Sequence, residues 1–320
     1  MTEQFTTTDT PTRPAPQLSL LRLDLRFRLD EPAELPPFRG NLWRGVLGPA
    51  LKRIDEGLLP GVDAGDIGIG SLYRTFFAPN MPHPYVVDAP GAPGFRRLEP
   101  GAEERIGLTL VGRAATATEA VLAAFDFAAR AGIGRGLGAD LERGRAHLSA
   151  ATAVWRGAEA DSIVFDEMGG YRPITARPPE TPPCPAWLRV TLATPLRLVD
   201  DQDKLVGPDQ FSAGALVKNL VGRVSMMCRY YGDAPLDADF RALKALRENL
   251  RAEEPDLDFA DQKRWSGHQK NEIPIGGVVG SFAVDMRGRE ALFPYLWLGQ
   301  WLHAGKGAVM GMGSIRLTAE

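Results

Sequence analysis

The chain has 320 residues, of which 44% are hydrophobic, and a formal net charge of −3. This length suits two compact domains, and the acidic total argues against a strongly basic nucleic-acid-binding protein. The cations are mostly arginine and gather in short segments, so local basic surfaces remain compatible with this total. The sequence shows neither a secretory signal nor an apolar run long enough to span a bilayer, and we therefore expect a cytoplasmic protein without membrane contact.

The first domain is predicted over residues 18–156, after a disordered Thr- and Pro-rich tail at residues 1–17. Residues 23–29 alternate apolar and charged side chains, the period of a strand with one buried face. Helical spacing follows in residues 38–54, and a second helix is predicted over residues 118–131. Between these helices, two short runs at residues 72–77 and 85–87 have a β-like composition.

A proline-rich linker is predicted over residues 157–185, because periodicity is lost there. The second domain, residues 186–320, starts again with an alternating strand and an amphipathic helix. A charged, helical connector is predicted at residues 234–253, followed by a hairpin around RWSGHQKNEIPIGGVVGSFAVDM. An apolar helix, a loop with four glycines and a last strand close the chain.

The two halves share one order of elements: strand, helix, β-rich middle, helix, glycine loop, strand. AARAGIGRGLG in the first half also aligns with WLHAGKGAVMGMG in the second. Duplication of a βαββαβ unit explains this pattern most simply. The sequence therefore predicts an α+β protein with two tandem ferredoxin-like domains.

Three motifs resemble those of the CRISPR-associated endoribonucleases that cut precursor CRISPR RNA within its repeats, the sixth Cas family of the repeat-associated mysterious protein superfamily. They are LPPFRGNLWRGVLGPAL after the first strand, LYRTFFAPNMPHPYVVDAP in the middle of the first domain, and RWSGHQ, GGVVGSF and LHAGKGAVMGMGSIRL in the second. The last group is the most specific. The resemblance covers nearly all of residues 18–320.

The resemblance implies metal-independent cleavage, in which the RNA's own 2′-OH attacks the adjacent phosphate to leave a 2′,3′-cyclic phosphate and a 5′-OH. It implies no cofactor. The implied partners are the precursor CRISPR RNA repeat and other subunits of a CRISPR interference complex. Many members carry a general-base histidine near the first helix, but residues 38–54 of this chain contain none.

His268 and His303 are the predicted catalytic histidines, because they lie beside a cation-rich and a glycine-rich stretch respectively. Lys306, between two glycines, is predicted to contact phosphate and stabilise its charge. The sequence interpretation treats His83, between two prolines, as a turn residue and His147 as structural. No cluster of histidine, cysteine and carboxylate residues has metal-ligand spacing, so no metal site is predicted.

The predicted RNA-binding residues fall into three groups. The glycines of the last loop are predicted to leave backbone amides uncovered for phosphate, Trp265 is predicted to stack on a base, and the arginines of the first strand are predicted to contact phosphates if their sheet face is open. The groups are Gly305, Gly307, Gly311 and Gly313; Arg264, Trp265, Ser266, Gln269 and Lys270; and Arg22, Arg26 and Arg28.

Two other functions are compatible with the sequence. A catalytically inactive RNA-binding subunit of the same superfamily would keep the glycine loop but not the histidine chemistry. A protein-binding scaffold of two ferredoxin-like domains would need neither.

Overall fold

A computed structural model describes residues 16–59, 70–89, 91–92, 94–137, 142–155, 162–261, 263–266 and 271–320. The first half contains three helices and ten strands within these ranges. They are β1 (Leu20–Leu29), β2 (Ala33–Leu35), α1 (Arg39–Asp55), α2 (Leu72–Phe77), β3 (Tyr85–Asp88), β4 (Arg96–Leu98), β5 (Glu103–Val111), α3 (Thr118–Arg130), β6 (Ile133–Leu137), β7 (Glu142–Gly144), β8 (Ala146–Ala153), β9 (Ser162–Asp166) and β10 (Gly170–Tyr171).

Four strands of the first half form an antiparallel sheet in the order β8-β1-β5-β3. Helix α1 follows β1 and helix α3 follows β5, which is the βαββαβ arrangement of a ferredoxin-like domain. The alternation predicted for the first strand is confirmed, because Leu23, Leu25 and Phe27 are fully buried against the helices. The Phe27 ring stacks on Trp43 of α1 at 4.2 Å between centroids.

The second half repeats this plan with another antiparallel sheet in the order β12-β15-β11-β16. Its elements are β11 (Trp187–Leu196), α4 (Ala213–Tyr231), α5 (Phe240–Glu248), β12 (Glu253–Ala260), β13 (Lys263–Ser266), β14 (Asn271–Pro274), β15 (Gly277–Asp285), α6 (Phe293–Leu302) and β16 (Ile315–Ala319). The prediction of two tandem ferredoxin-like domains is therefore confirmed.

Residues 72–77 form helix α2 and not the predicted β-like run. The Ser71 hydroxyl accepts a hydrogen bond from the Arg74 amide, and the Asp55 carboxylate at the end of α1 accepts from the Leu72 and Tyr73 amides at 2.7 and 2.9 Å. These oxygens satisfy the free amides of a helix start. The aromatic and branched side chains alone could not reveal this capping.

The boundary between the domains lies later than the proline content indicated. Strand β9 pairs with β8 and strand β10 pairs with β9, so residues 162–171 extend the first sheet. Further along the chain, Arg177 forms an isolated bridge with Leu20. These residues become strands because they pair with strands that lie elsewhere in the sequence. Local composition carries no information on such pairing, and it therefore indicated a linker from residue 157 onward.

Strands β2, β4, β6, β7 and β12 were also not recognised in the sequence. Residues 133–137, which were expected to be a glycine loop, form β6 beside β2 and β7. Strand β12, largely acidic and exposed, lies at the edge of the second sheet beside β15. The predicted hairpin is confirmed by the pairing of β13 with β14, and α5 lies within the connector predicted to be helical.

The domains share an apolar junction. Leu18, Leu20 and Val111, at one end of the first sheet, are buried in the hydrophobic core of the second domain. At the same junction the Tyr231 hydroxyl at the end of α4 donates a 2.6 Å hydrogen bond to the Pro82 carbonyl. Within the part of the chain that the structure covers, no helix is both long and apolar enough to cross a membrane.

Candidate functional site

The loop between α6 and β16 contains the four predicted glycines, and we call residues 303–314 the glycine loop. Most of its described amides donate inside the protein. Gly305 donates to Asn219 Oδ1 at 2.8 Å, Lys306 to the Arg197 carbonyl at 2.9 Å, and Gly313 to the Pro195 carbonyl at 3.0 Å. Gly311 donates to a carbonyl within the loop itself. The expectation that these amides are uncovered for phosphate is therefore wrong for Gly305, Gly311 and Gly313.

The glycines instead let the loop pack closely against other backbone. All four have positive φ angles between 63° and 88°, a region that other residues rarely adopt. A Cβ at Gly311 would lie 2.8 Å from the Val87 carbonyl oxygen in β3 of the first domain. A Cβ at Gly40, in the first turn of α1, would overlap the Met310 carbonyl oxygen. The glycine loop is thus a contact between the two domains.

His303 begins this loop and is enclosed by the protein. Only 1% of its surface is exposed, and its backbone has the unusual φ and ψ angles of 56° and 167°. Among the residues that the structure covers, its Nδ1 atom has no hydrogen-bond partner. Burial lowers the pKa of His303 to about 4, against the attraction of Asp88, and the positive charges of Arg22 and Arg223 lower it further. The imidazole is neutral at pH 7.

The groups around His303 come from both domains. Arg22 on β1 and Asp88 at the end of β3 form an ion pair at 2.8 Å. Burial would raise the pKa of Asp88, but Arg22 and the neighbouring cations hold it below its usual range. Arg223 on α4 donates from Nε to the Leu302 carbonyl at 2.7 Å, directly before His303. Arginine and carboxylate charges are therefore concentrated where the domains meet.

A second group of polar and aromatic side chains lies near the same junction. The His83 ring is half-buried and parallel to Tyr85 at 6.1 Å between centroids, and it lies 6.0 Å from the Phe77 ring. The Arg44 guanidinium of α1 lies 5.3 Å from the centre of the same Phe77 ring. Burial lowers the pKa of His83, and the positive charges of Arg44 and Arg223 add to this effect.

Arg223 lies close enough to influence both His83 and His303. We call the polar groups along this junction the interdomain seam, and they form one set of six side chains. The seam consists of Arg22, Arg44, His83, Asp88, Arg223 and His303.

Sequence reasoning treated His83 as a turn residue and did not select Arg44 or Arg223. The only local signal was a histidine close to several aromatic residues. The two arginines belong to helices in different domains, so their proximity to His83 could not be seen in the sequence.

The three arginines of the first strand differ in their surroundings. Arg22 is half-buried in its ion pair with Asp88, whereas Arg28 is exposed. Arg26 lies directly opposite Arg105 of β5, an unfavourable position for two like charges unless anions lie nearby. Each arginine has such an anion, Asp24 at 3.7 Å from Arg26 and Glu103 at 3.0 Å from Arg105, so the charges on this face of the sheet are balanced by ion pairs.

The other predicted side chains are spread over the second domain. Lys306 is exposed, and its Nζ atom lies 3.0 Å from a carboxylate oxygen of the still more exposed Asp203. Arg264, Trp265 and Ser266 belong to β13, on the hairpin with β14. His268, Gln269 and Lys270 lie outside the described residues.

His147 has a structural environment. Its Nδ1 lies 2.7 Å from Asp30 and its Nε2 lies 3.0 Å from Glu167, so both ring nitrogens face carboxylates. Across the ranges that the structure describes, no three His, Cys, Asp or Glu side chains are grouped as metal ligands would be.

Family models match both halves of the chain. The family described as CRISPR-associated endoribonuclease Cas6 matches residues 190–315, which include the second sheet and the glycine loop. A family model described as an N-terminal domain matches residues 18–55 and 72–177. The second match ends at the residue that bridges to Leu20, later than the boundary predicted from composition. No protein with a curated description matches the sequence.

Solved structures of similar fold extend over nearly the whole chain. Thermus thermophilus Cas6 has a TM-score of 0.52 at 15% identity, covering 94% of this chain and 99% of its own. A product complex of that Cas6 has a TM-score of 0.58, with the same identity and coverage. A partial Cas6-RT-Cas1–Cas2 complex has a TM-score of 0.54 at 13% identity, covering 96% of this chain and 47% of its own. Residues 190–315 are therefore similar to the Cas6 endoribonuclease family, and the chain as a whole shares the fold of the solved Cas6 structures.

Proposed function

We propose that this protein is an endoribonuclease that cuts precursor CRISPR RNA within its repeats. The observation that carries the proposal is the match of residues 190–315 to the Cas6 endoribonuclease family. The arginines on the polar face of β1 and β5 are consistent with an RNA ligand, because phosphate binding needs local cations and not a basic total charge, and phosphates can replace the carboxylates of surface ion pairs at little cost.

The proposed reaction uses the RNA as its own nucleophile and needs no metal. A base removes the proton from a ribose 2′-OH, and the 2′-oxygen forms a bond to the adjacent phosphorus. The bond from phosphorus to the 5′-oxygen then breaks, and an acid supplies that oxygen with a proton. The products are a 2′,3′-cyclic phosphate and a 5′-OH, and the protein must stabilise the extra negative charge of the phosphorane.

Of the two histidines predicted from the sequence, His268 fits direct proton transfer better. His303 is enclosed at the interdomain seam, so RNA could reach its ring only if the glycine loop moved. His303 therefore fits a role in orienting the loop and the neighbouring Arg22–Asp88 pair. His268 belongs to the segment that joins β13 and β14, beside the cation-rich residues predicted to bind RNA.

Lys306 and the glycine loop fit a supporting role in RNA binding. The ion pair of Lys306 with Asp203 is exposed, so exchanging the carboxylate for a phosphate would cost little. The glycines contribute by holding Lys306 at the surface of the loop, since most of the loop amides are already bonded within the protein. Arg264, Trp265, Ser266, Gln269 and Lys270 remain proposed contacts of the hairpin with RNA.

A cleavage assay with labelled repeat RNA in EDTA tests this function. The proposal expects a product ending in a 2′,3′-cyclic phosphate, and about 100-fold slower cleavage by His268→Ala with RNA binding retained. We expect a comparable loss of rate for His303→Ala if loop position controls the reaction. Cleavage that requires a divalent metal, or a product without a cyclic phosphate, contradicts the mechanism.

The same assay separates the alternative functions. A gel shift of the repeat RNA without cleavage would support an RNA-binding subunit. If the protein neither bound nor cut the RNA, the protein-binding scaffold would be the remaining function. A structural neighbour is named as a Cas6-RT-Cas1–Cas2 complex. We therefore include other CRISPR subunits among the proposed partners, which copurification with the complete chain would test.

A further inference from the structure

His83 differs from the other histidines that the structure describes. His303 is 1% exposed, and His147 is held between two carboxylates. The His83 ring is half-buried, which is the degree of enclosure that suits a group that must contact a ligand and still exclude bulk water. It lies just before β3, on the first-domain side of the interdomain seam.

The surroundings of His83 hold its ring in one position. Tyr85 lies parallel to it and Phe77 lies beside it, with centroid distances of 6.1 and 6.0 Å. The preceding Pro82 is fixed from the second domain, because its carbonyl accepts the hydrogen bond from Tyr231 at 2.6 Å. An oriented side chain loses less conformational entropy when it reacts, so this packing is suited to catalysis.

The hydrogen bonding of His83 favours a proton acceptor. The backbone of Ala78 raises the pKa of His83, which is the effect of a carbonyl oxygen that accepts from one ring nitrogen. In a neutral imidazole the other nitrogen is then an acceptor. Burial and the cations Arg44 and Arg223 keep the ring neutral near pH 7, which is the form a general base requires.

The two arginines beside His83 are placed to donate hydrogen bonds to the phosphate in the same reaction. Arg44 contacts the Phe77 ring from α1, and Arg223 reaches the seam from α4, where its Nε is bonded to the Leu302 carbonyl. Within the described residues, Nη2 of Arg223 is buried without a partner. A guanidinium in this state is a donor available to an anionic oxygen.

We propose that His83 is the catalytic residue that removes the proton from the ribose 2′-OH, and that Arg44 and Arg223 contact the phosphate under attack. The proton passes to the acceptor nitrogen of His83 as the 2′-oxygen bonds to phosphorus. The bond from phosphorus to the 5′-oxygen then breaks, and the 5′-oxygen takes a proton from water. This inference rests on the proposed function, and it adds a site formed by α1, α4 and the segment before β3.

The decisive variant is His83→Phe, which keeps an aromatic ring between Tyr85 and Phe77 but has no ring nitrogen. We expect it to bind repeat RNA like the unaltered protein and to cut about 100-fold or more slowly. His83→Ala should be equally slow, and added imidazole should restore part of its rate. His147→Gln is the matched control, since His147 is also half-buried, and it should cut at the unaltered rate.

The pH dependence separates proton transfer from packing. The charged or titratable groups that act on His83 are Arg44 on α1 and Arg223 on α4, and Tyr85 on β3 stacks beside it; neither arginine nor tyrosine gains a proton just below neutral pH. Loss of activity as the pH falls below about 6.5 would then report an imidazole. In His83→Ala rescued with imidazole, this fall should move to the pH at which the added imidazole is protonated.

The outcomes distinguish the two proposals. If the unaltered protein cuts repeat RNA and His83→Phe cuts it equally fast, the role of His83 is overturned and the proposed function stands. If the unaltered protein binds the RNA but leaves it intact, both proposals are overturned. A rate loss in His83→Phe that matches an equal loss of RNA affinity would also overturn the proton-transfer role, since it would reflect binding alone.

Discussion

The contact between α1 and the glycine loop gives a sharp prediction for the stability of the domain junction. Gly40 and Gly45 lie five residues apart on the same helix, but their surroundings differ. A Cβ at Gly40 would overlap the Met310 carbonyl oxygen and lie 2.8 Å from its carbon, whereas nothing lies within 4 Å of a Cβ at Gly45. The same change to alanine should therefore have opposite effects at the two positions.

The magnitudes follow from helix propensity and packing. Alanine is favoured over glycine by about 1 kcal/mol in a helix interior, so Gly45→Ala should raise the free energy of unfolding by up to this amount. At Gly40 the obstacle is backbone, which cannot rotate away. Ordinary van der Waals contact begins near 3.4 Å, so the loop must move away from α1 by roughly 0.6 Å to relieve the clash of the new Cβ with the Met310 carbonyl carbon. It must move further to relieve the clash with the carbonyl oxygen. Overpacking of this kind costs about 1–3 kcal/mol.

Urea denaturation followed by circular dichroism measures both variants against the unaltered protein. We expect Gly40→Ala to unfold at lower urea and Gly45→Ala at equal or higher urea, with an unchanged slope. If Gly40→Ala is as stable as Gly45→Ala, the glycine loop does not press on α1. The assignment of this loop as a domain contact would then be refuted.

Three other predictions concern charge. The pKa of His303 is lowered from about 6.5 to about 4 in the native state, so the unfolded chain takes up a proton more readily. Stability that is present above pH 6.5 should therefore be lost as the pH falls toward 4, by at most about 3 kcal/mol. Unfolding measured across this pH range should show a smaller loss of stability in His303→Gln, and an equal loss would contradict the burial of His303. Glu104 and Arg39 form a buried ion pair at 3.1 Å, so Glu104→Gln or Arg39→Met should each lower the unfolding free energy by about 3–5 kcal/mol; a double variant that loses the full sum would show that the pair is not coupled. Lys306→Ala should weaken repeat RNA binding and reduce the slope of log affinity against log salt by about 0.7. Asp203→Ala is the matched control and should bind the repeat RNA more tightly, because it removes the carboxylate paired with Lys306. An unchanged salt slope in Lys306→Ala would show that Lys306 does not contact the RNA.

Much of the architecture could be predicted because it follows from the local periodicity of apolar and polar residues. The alternation of Leu23, Leu25 and Phe27 with charged residues identified β1 and its buried face, and the repeated order of elements identified the two ferredoxin-like domains. The errors occurred where distant groups decide local structure. Helix α2 depends on the Asp55 carboxylate from the preceding helix, and strand β9 depends on pairing with β8.

The candidate site could be predicted only in part. The sequence pointed to the glycine loop, and the structure places His303 at its start and Lys306 at its surface. The sequence could not indicate that Asn219 and Arg197 satisfy the loop amides, since these partners lie in other elements. The proximity of His83 to arginines of two different helices was hidden for the same reason.

The sequence by itself determined most of the principal elements and their duplication, because hydrophobic period, glycine positions and motif order are properties of neighbouring residues. Only the tertiary structure decided which polar groups meet. Packing of the glycine loop on α1 and β3 encloses His303 and draws cations of both domains into one seam. The chemical state of a buried imidazole depends on solvent exclusion and on charges from distant parts of the chain, and folding alone brings these together.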